Sequence, residues 1–310
     1  RPRRPSGCAS SERMDEGAKG GQVLIFGAGY LGEALMRRLI AEGRAVSATS
    51  RDGQRRSELE ARGAKAIDPG DAETLRGAVA QATAILITAP PEAGGCPGAR
   101  ALLPALSAAG AYPDWIGYVS STAVYGDRAG GWAFEGDPLN AASLEGARRV
   151  RAEQEWLDAG RGMGLTVQLF RLPAIYGTGR SPIDRLKRGE ARLIRKPGQV
   201  FNRIHVEDAV DGLMASMARP RPGAIYNLAD DTPEAADVVM AWTAERLGQS
   251  APPEVAWTDA EVSDGMRRFY LDSKRVSNAQ AKAELGWRPA HADWRDGLEA
   301  ILRAEGAATT

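Results

Sequence analysis

The chain has 310 residues, 43% hydrophobic and 26% charged, which is the composition of a globular protein large enough for one big domain or a domain with a smaller lobe. Forty basic and forty acidic residues cancel to a formal charge of zero, so no global field draws the chain to nucleic acid or to an anionic membrane. No apolar run approaches the roughly 18 residues of a membrane span, and two cysteines, Cys8 and Cys96, are too few for a disulfide framework, as expected of a cytoplasmic protein.

Residues 1–21 are rich in charge and small residues and lack the apolar centre of a signal peptide; a disordered tail is expected there, with Met14 the natural start. From Gln22 an apolar strand runs into Gly27-Ala-Gly-Tyr-Leu-Gly32 and on into an amphipathic helix. In that setting Gly27 permits a tight turn, Gly29 lets backbone approach a pyrophosphate, and Gly32 lets the helix pack close to the sheet. The alternative, a plain Gly-rich turn, lacks a reason for the strand before and the helix after. The stretch predicts dinucleotide binding at a helix N-terminus.

Strands are expected over 44–50, 64–67, 84–89, 115–121 and 166–171, with helices over 53–62, 72–80, 99–109 and 144–159 between them. This alternation predicts an α/β fold, a Rossmann-type doubly wound parallel sheet, with the site at the carboxyl ends of the strands near Ser50, Asp68, Thr88 and Ser121. After Tyr176 the rhythm breaks. A Pro/Gly/Arg-rich stretch over 178–198, a helix over 206–218, a late strand over 223–229 and further helices, ending in one over 294–304, predict a smaller, mostly helical substrate lobe. The expected division assigns 22–177 and 199–232 to the nucleotide-binding domain, and 178–198 and 233–310 to the lobe. His205 and His291, the only histidines, have no cysteine or paired carboxylate at ligand spacing, so no metal is expected.

Five segments in order, the Gly loop, Ser120-Ser-Thr-Ala-Val-Tyr-Gly126, Phe170-Arg-Leu-Pro-Ala-Ile-Tyr-Gly177, Asn202-Arg-Ile-His-Val-Glu-Asp208 and Ala283-Glu-Leu-Gly-Trp-Arg-Pro289, resemble the extended short-chain dehydrogenase/reductase superfamily, which contains nucleotide-sugar epimerases and dehydratases. The resemblance implies that Ser121 polarises the substrate oxygen. It also implies cofactor contacts from Gly27, Gly29, Tyr30, Leu31, Gly32, Ser50, Arg51, Asp68, Thr88, Ala89, Arg149 and Pro173. The family's Tyr-x-x-x-Lys pair falls on Glu145 and Arg149, so the usual acid/base is replaced, as in the superfamily's atypical branch. Arg149 can keep the ribose and charge roles, since a guanidinium stays protonated. Glu145 is a different acid, and the two residues equally suit an i,i+4 surface ion pair. Tyr125 and Tyr176 are expected either as pocket walls or as displaced phenols. The helix carrying Glu145 forms a homodimer interface in relatives, which the resemblance extends to this chain.

The second strand ends in Thr49-Ser50-Arg51, where an NAD-selective site carries an acid about 20 residues past the Gly loop. A hydroxyl and a guanidinium, with Arg55 and Arg56 nearby, suit the 2′-phosphate of NADP better than the free hydroxyl of NAD. Asp52 is the counter-indication, one register step from the ribose. Asp68 reads equally as an adenine contact or a helix cap, and His205 as a structural residue at the lobe junction. Arg180, Arg185 and Arg203 suit an anionic substrate group such as a nucleotide-sugar diphosphate, or are solvated charges. Two functions follow: an NADP-dependent oxidoreductase or epimerase/dehydratase-like enzyme on a small polar substrate, or a non-catalytic cofactor sensor that kept the site and lost the chemistry.

Overall fold

In chain order the strands are β1 (Gln22–Phe26), β2 (Val46–Thr49), β3 (Lys65–Ile67), β4 (Ala82–Ile87), β5 (Trp115–Ser121), β6 (Trp132–Ala133), β7 (Val167–Leu172), β8 (Ala174–Tyr176), β9 (Leu193–Arg195), β10 (Arg203–His205), β11 (Ile225–Asn227), β12 (Glu254–Ala256) and β13 (Arg275–Val276). This is a computed structural model, and it describes residues 21–110, 112–259 and 262–308. The expected disordered tail and Met14 lie outside the described residues, except Gly21.

Seven strands form one parallel sheet of order β11-β7-β5-β4-β1-β2-β3, with the chain reversing direction of growth between β1 and β4. Each face of β1 is buried: Val23 and Ile25 pack with Leu31, Leu35 and Leu39 of helix Tyr30–Ala41, while Leu24 and Phe26 face Leu75, Leu102, Leu106 and Trp156 on the other side. Burial on both faces is why these strands read as unbroken apolar runs. The late strand over 223–229 does return to the sheet, as β11 beside β7.

The fourth strand starts and ends two residues earlier than expected, at Ala82 and Ile87. The amides of Thr88 and Ala89 still donate to the Phe26 carbonyl, at 3.0 and 3.3 Å, so the two residues continue the strand's direction over the Gly loop. Helix Leu144–Met163 runs four residues past its expected end and stops at Gly164, in the left-handed region at φ 69°. The Pro/Gly/Arg-rich stretch over 178–198 contains β9 and the short helix Pro182–Lys187, started by a reciprocal Ser181/Asp184 capping box.

The remaining strands pair two by two: β8 with β10, β9 with β12, and β6 with β13. A buried polar network joins the central sheet to these additions. Arg171 on β7 binds Glu153 through Nε and Nη2, the latter at 2.7 Å, and donates through Nη1 to the Tyr125 hydroxyl and the Glu135 carbonyl. Tyr125 in turn donates to Asn227 Oδ1 at 2.7 Å, and Glu135 accepts from the Asn227 amide at 2.9 Å. Helix Leu144–Met163, β7, β11 and the turn after β5 are thereby locked together.

Candidate active site

The Gly loop sits where the sheet topology opens a crevice, at the carboxyl end of β1. Gly27 has φ +95°, and a Cβ there would lie 2.8 Å from the Ala89 amide nitrogen. A Cβ on Gly32 would meet the Gly27 carbonyl at 3.0 Å and Ile25 at 3.1 Å, whereas one on Gly29 would meet nothing within 4 Å. The three glycines thus serve a turn, a close helix packing and an open approach. Helix Tyr30–Ala41 begins at Gly29 with no side-chain cap. Its first amides are left for an anion, and the loop fits a cofactor pyrophosphate. Thr49 and Thr88 fix the turn, the first accepting from the Gly27 amide at 2.9 Å and the second donating to its carbonyl.

A cleft of about 850 Å³ opens from this loop toward the C-terminal lobe. Of the residues singled out in the sequence, Gly29, Tyr30, Leu31, Thr88, Ser121, Glu145, Arg149, Pro173 and Arg180 line it. Ser121 ends β5 and its Oγ accepts from the Ala123 amide at 3.2 Å, leaving the hydroxyl proton to donate into the cleft. Arg149 donates through Nη1 to the Val119 carbonyl at 2.8 Å. Glu145 pairs not with Arg149 but with Arg268 of the lobe, at 3.3 Å across the cleft mouth.

Tyr125 is placed elsewhere. It is fully buried, its hydroxyl is held by Asn227 and Arg171, and burial pushes its phenol up to about 12. Tyr176 is also buried, its hydroxyl against Gly297, and burial raises its phenol. Tyr125 ends the turn after β5 and Tyr176 is the last residue of β8, and neither lines the cleft.

At the end of β2, Asp52 is the N-cap of helix Gly53–Ala61 and accepts from the Arg55 amide at 2.7 Å. Arg55 is held by Glu33 and Glu58, and Arg56 by the Ser50 and Arg51 carbonyls and by Asp68 at 3.2 Å. Asp68 also accepts from the Gly70 amide. Arg51 alone of the three arginines extends outward, 82% exposed, with Glu92 at 3.2 Å.

Asn202, from the Asn202–Asp208 motif, also lines the cleft, together with residues that the motifs did not signal: Phe201, Arg268, Phe269, Asp272 and Lys274. Lys274 is buried beside Asp272, with Nζ 3.2 Å from Oδ2, and burial lowers its ammonium below the usual lysine range while Asp272 opposes that shift. Its backbone is fixed by Asn202, which donates to the Lys274 carbonyl and accepts from the Val276 amide. A lone Asp-Ser-Lys between turns carries no periodic or motif signal; the β6–β13 pairing and contacts from Asp127, Gln199 and Asn202 bring it to the cleft.

The histidines, expected to lack ligand-spaced partners, are brought together with Asp208, their ligand atoms within 4.8 Å of one another. Asp208 already accepts from the Ala290 amide at 2.7 Å and from the His291 amide and Nδ1 at 3.1 and 3.0 Å. The cluster therefore reads as a clasp that ties the Trp287–His291 segment to helix Val206–Met217.

A parallel sheet of this order, a glycine loop at an uncapped helix and a serine ending β5 on the same crevice define a nucleotide-cofactor protein of short-chain dehydrogenase/reductase architecture. The profile of the NAD dependent epimerase/dehydratase family matches residues 23–229, and the chain belongs to that family. It is similar to a 3-diazoavenalumate denitrifying reductase from a Streptomyces species, with 28% identity over 309 residues covering 89% of this chain and 99% of the relative. A conserved protein of unknown function from Silicibacter pomeroyi superposes with a TM-score of 0.85 at 42% identity, over 92% of this chain and 99% of its own. MoeE5, solved in complex with UDP-glucose and NAD, superposes with a TM-score of 0.76 at 25% identity, over 94% of this chain and all of its own. Among the described residues no helix is long and apolar enough to cross a membrane.

Proposed function

We propose that this chain is an NADP-dependent oxidoreductase that reduces a small polar substrate in the cleft between sheet and lobe. The observation that carries the reading is that the cofactor loop, Ser121, Arg149 and the buried Lys274 all face one cavity. The bound cofactor would supply a hydride. Ser121 would orient the substrate oxygen through its unspent hydroxyl proton, stabilising charge as it develops there. Arg149, at the position of the family's lysine, would hold the ribose. As the hydride reaches the electrophilic atom, the Lys274 ammonium would pass a proton to the oxygen and be restored from solvent; its lowered pKa suits that donation. Glu145, engaged with Arg268, would latch the cleft mouth. The division into a nucleotide-binding domain and a substrate lobe, and a homodimer through helix Leu144–Met163, belong to the same reading.

Preference for NADP rests on the end of β2. Asp52 is spent on capping and Arg55 and Arg56 on less exposed local pairs, so a 2′-phosphate would be met by the Ser50 hydroxyl and by Arg51, 82% exposed, in exchange for its Glu92 partner. Titration of the protein with NADPH and NADH, followed by nicotinamide fluorescence, tests this. NADPH should bind more tightly, and Arg51→Ala should cost it about tenfold, the scale of one charge-assisted contact, while leaving NADH unchanged. Binding of neither removes the redox reading. With NADPH bound, Lys274→Met should abolish NADPH consumption on carbonyl substrates without weakening cofactor affinity. NADPH binding with no consumption by the wild-type chain on any carbonyl favours the sensor.

A further inference from the structure

The lobe side of the cleft carries an ion pair taken out of water. The side chains of Lys274 and Asp272 are 8% and 14% exposed, with Nζ 3.2 Å from Oδ2, and no other acceptor lies within hydrogen-bond distance of Nζ among the described residues. Both residues line the cavity that Ser121 and Arg149 line from the sheet. Three contacts clamp the backbone beneath the pair. Gln199 Nε2 donates to the Asp272 carbonyl at 2.5 Å, Asp127 accepts from the Ser273 amide at 2.7 Å, and Asn202 donates to the Lys274 carbonyl at 2.9 Å.

Packing gives no reason for charges there. A buried pair is often worth no more than apolar side chains of similar volume, because desolvation consumes what the Coulomb attraction returns. Lys196, a second lysine of the lobe, is committed to structure: its Nζ donates to the Tyr270 carbonyl and lies 4.9 Å from the Trp257 ring centroid. Lys274 spends one N–H on Asp272 and keeps two. Burial, the largest influence on it, disfavours the ammonium; Asp272 opposes burial most strongly, Asp127 next, and Arg128 adds a repulsion. Without Asp272 the buried amine has only Asp127 to favour its proton.

We propose that Asp272 is the positioning residue of the proton donor: its Oδ2 holds the Lys274 amine at the cleft wall, and its charge keeps that amine an ammonium until the substrate oxygen becomes basic. The role rests on the reading of Lys274 as donor. When hydride addition leaves an electron pair on the substrate oxygen, a Lys274 N–H bond breaks, its electrons stay on nitrogen, and the proton bonds to that oxygen. Solvent in the cleft then returns a proton to the amine. Asp272 stays a carboxylate throughout and acts through Lys274, its charge favouring recapture of the proton.

Competitive acetylation of the full-length protein with trace acetic anhydride tests the proposal, because only the free amine reacts. The Lys274 peptide is read by mass spectrometry across pH, with the exposed Lys65 as internal reference. Lys274 should acetylate with a midpoint below the ordinary lysine value of about 10.4. Asp272→Asn, which keeps the shape and removes the charge, should lower that midpoint by about one further unit, equivalent to about tenfold faster labelling below it. Asp272→Glu, which restores the charge, should return the midpoint toward the wild-type value. A residue that only holds the fold would change the melting temperature and leave the midpoint in place. An unmoved midpoint in Asp272→Asn, or a Lys274 that acetylates at no pH, overturns the proposal; Asp272→Ser is the neutral variant to use if Asp272→Asn does not fold. Continued NADPH consumption in Lys274→Met overturns the donor reading whatever the midpoint does, whereas an unmoved midpoint overturns the role of Asp272 alone, so the two failures are distinguishable.

Discussion

Strands β1, β2, β3 and β4 each pair with a strand one helix away in the chain, and the groups they offer a cofactor are mostly backbone: the turn at Gly27, the bare approach at Gly29, the free amides of an uncapped helix. The lobe that completes the cleft is held by pairings between distant segments, Trp132 with Arg275 and Leu193 with Glu254, and it offers side chains: Arg268, Asp272 and Lys274. A backbone site depends on local conformation and is written in glycine spacing. A side-chain site depends on which distant segments meet, and can change its chemistry while the cofactor half stays fixed. Ser121 and Arg149 line the cleft from the sheet half and Lys274 and Asp272 from the other, which fits that difference.

The contrast breaks first at the joint between the halves. Arg171 and Glu153 are each 3% exposed, so Arg171→Leu strands a buried carboxylate and should cost about 3–5 kcal/mol in denaturant unfolding, well beyond a cavity of similar size. A cost under ~1 kcal/mol would mean that the network does not bind the sheet to its additions. Within the glycine loop, Gly27→Ala should cost about 2 kcal/mol, through its positive φ and the 2.8 Å approach to Ala89, and lose NADPH binding with it. Gly29→Ala should leave stability nearly unchanged, since its Cβ meets nothing within 4 Å, yet weaken NADPH binding by intruding on the pyrophosphate. Equal stability losses at the two positions would show that the loop is not built around an open approach at Gly29.

The smallest expected effect is a pH dependence at the lobe clasp. Burial, and next the neighbouring His291, hold His205 down at about 4 against an ordinary value of 6.5, with Asp208 opposing. Between those values the unfolded chain binds more protons, so His205 removes stability as pH falls through 6.5 toward 4, roughly 1 kcal/mol between about pH 7.5 and 5.5. His291 has the opposite sign: Asp208 raises its pKa, so its contribution is full below the ordinary histidine value and fades as pH climbs through the raised one. His205→Asn keeps an N-capping side chain for helix Val206–Met217 while removing the titration. Melting curves across this range should therefore lose their acid limb in the variant; an unchanged limb would place the titrating group elsewhere.

Some of the site was legible because its chemistry is local. Ser121 ends β5 as read, and its neighbour Thr122 starts the turn that the Ser-Ser-Thr segment announced. Tyr125 was equally visible as a residue and unreadable as a position: four residues past Ser121, a single turn decides between cleft and core, and the Arg171 and Asn227 partners that bury it come from β7 and β11. Asp52 shows the same limit at shorter range, since the ribose and the helix cap are one residue apart in register and the Arg55 amide takes the carboxylate.

The sequence by itself determined the parallel sheet, the glycine loop and the family, because apolar runs, helix periods and glycine conformations are properties of contiguous residues. Only the tertiary structure decided that Glu145 faces Arg268 rather than Arg149, that Lys274 and Asp272 enter the cleft, and that Arg180, Arg185, Arg188 and Arg203 line a second chamber beside it. Those groups are brought together by strand pairings and helix packing between segments far apart in the chain, where the energy of a charge is set by neighbours that no local pattern names.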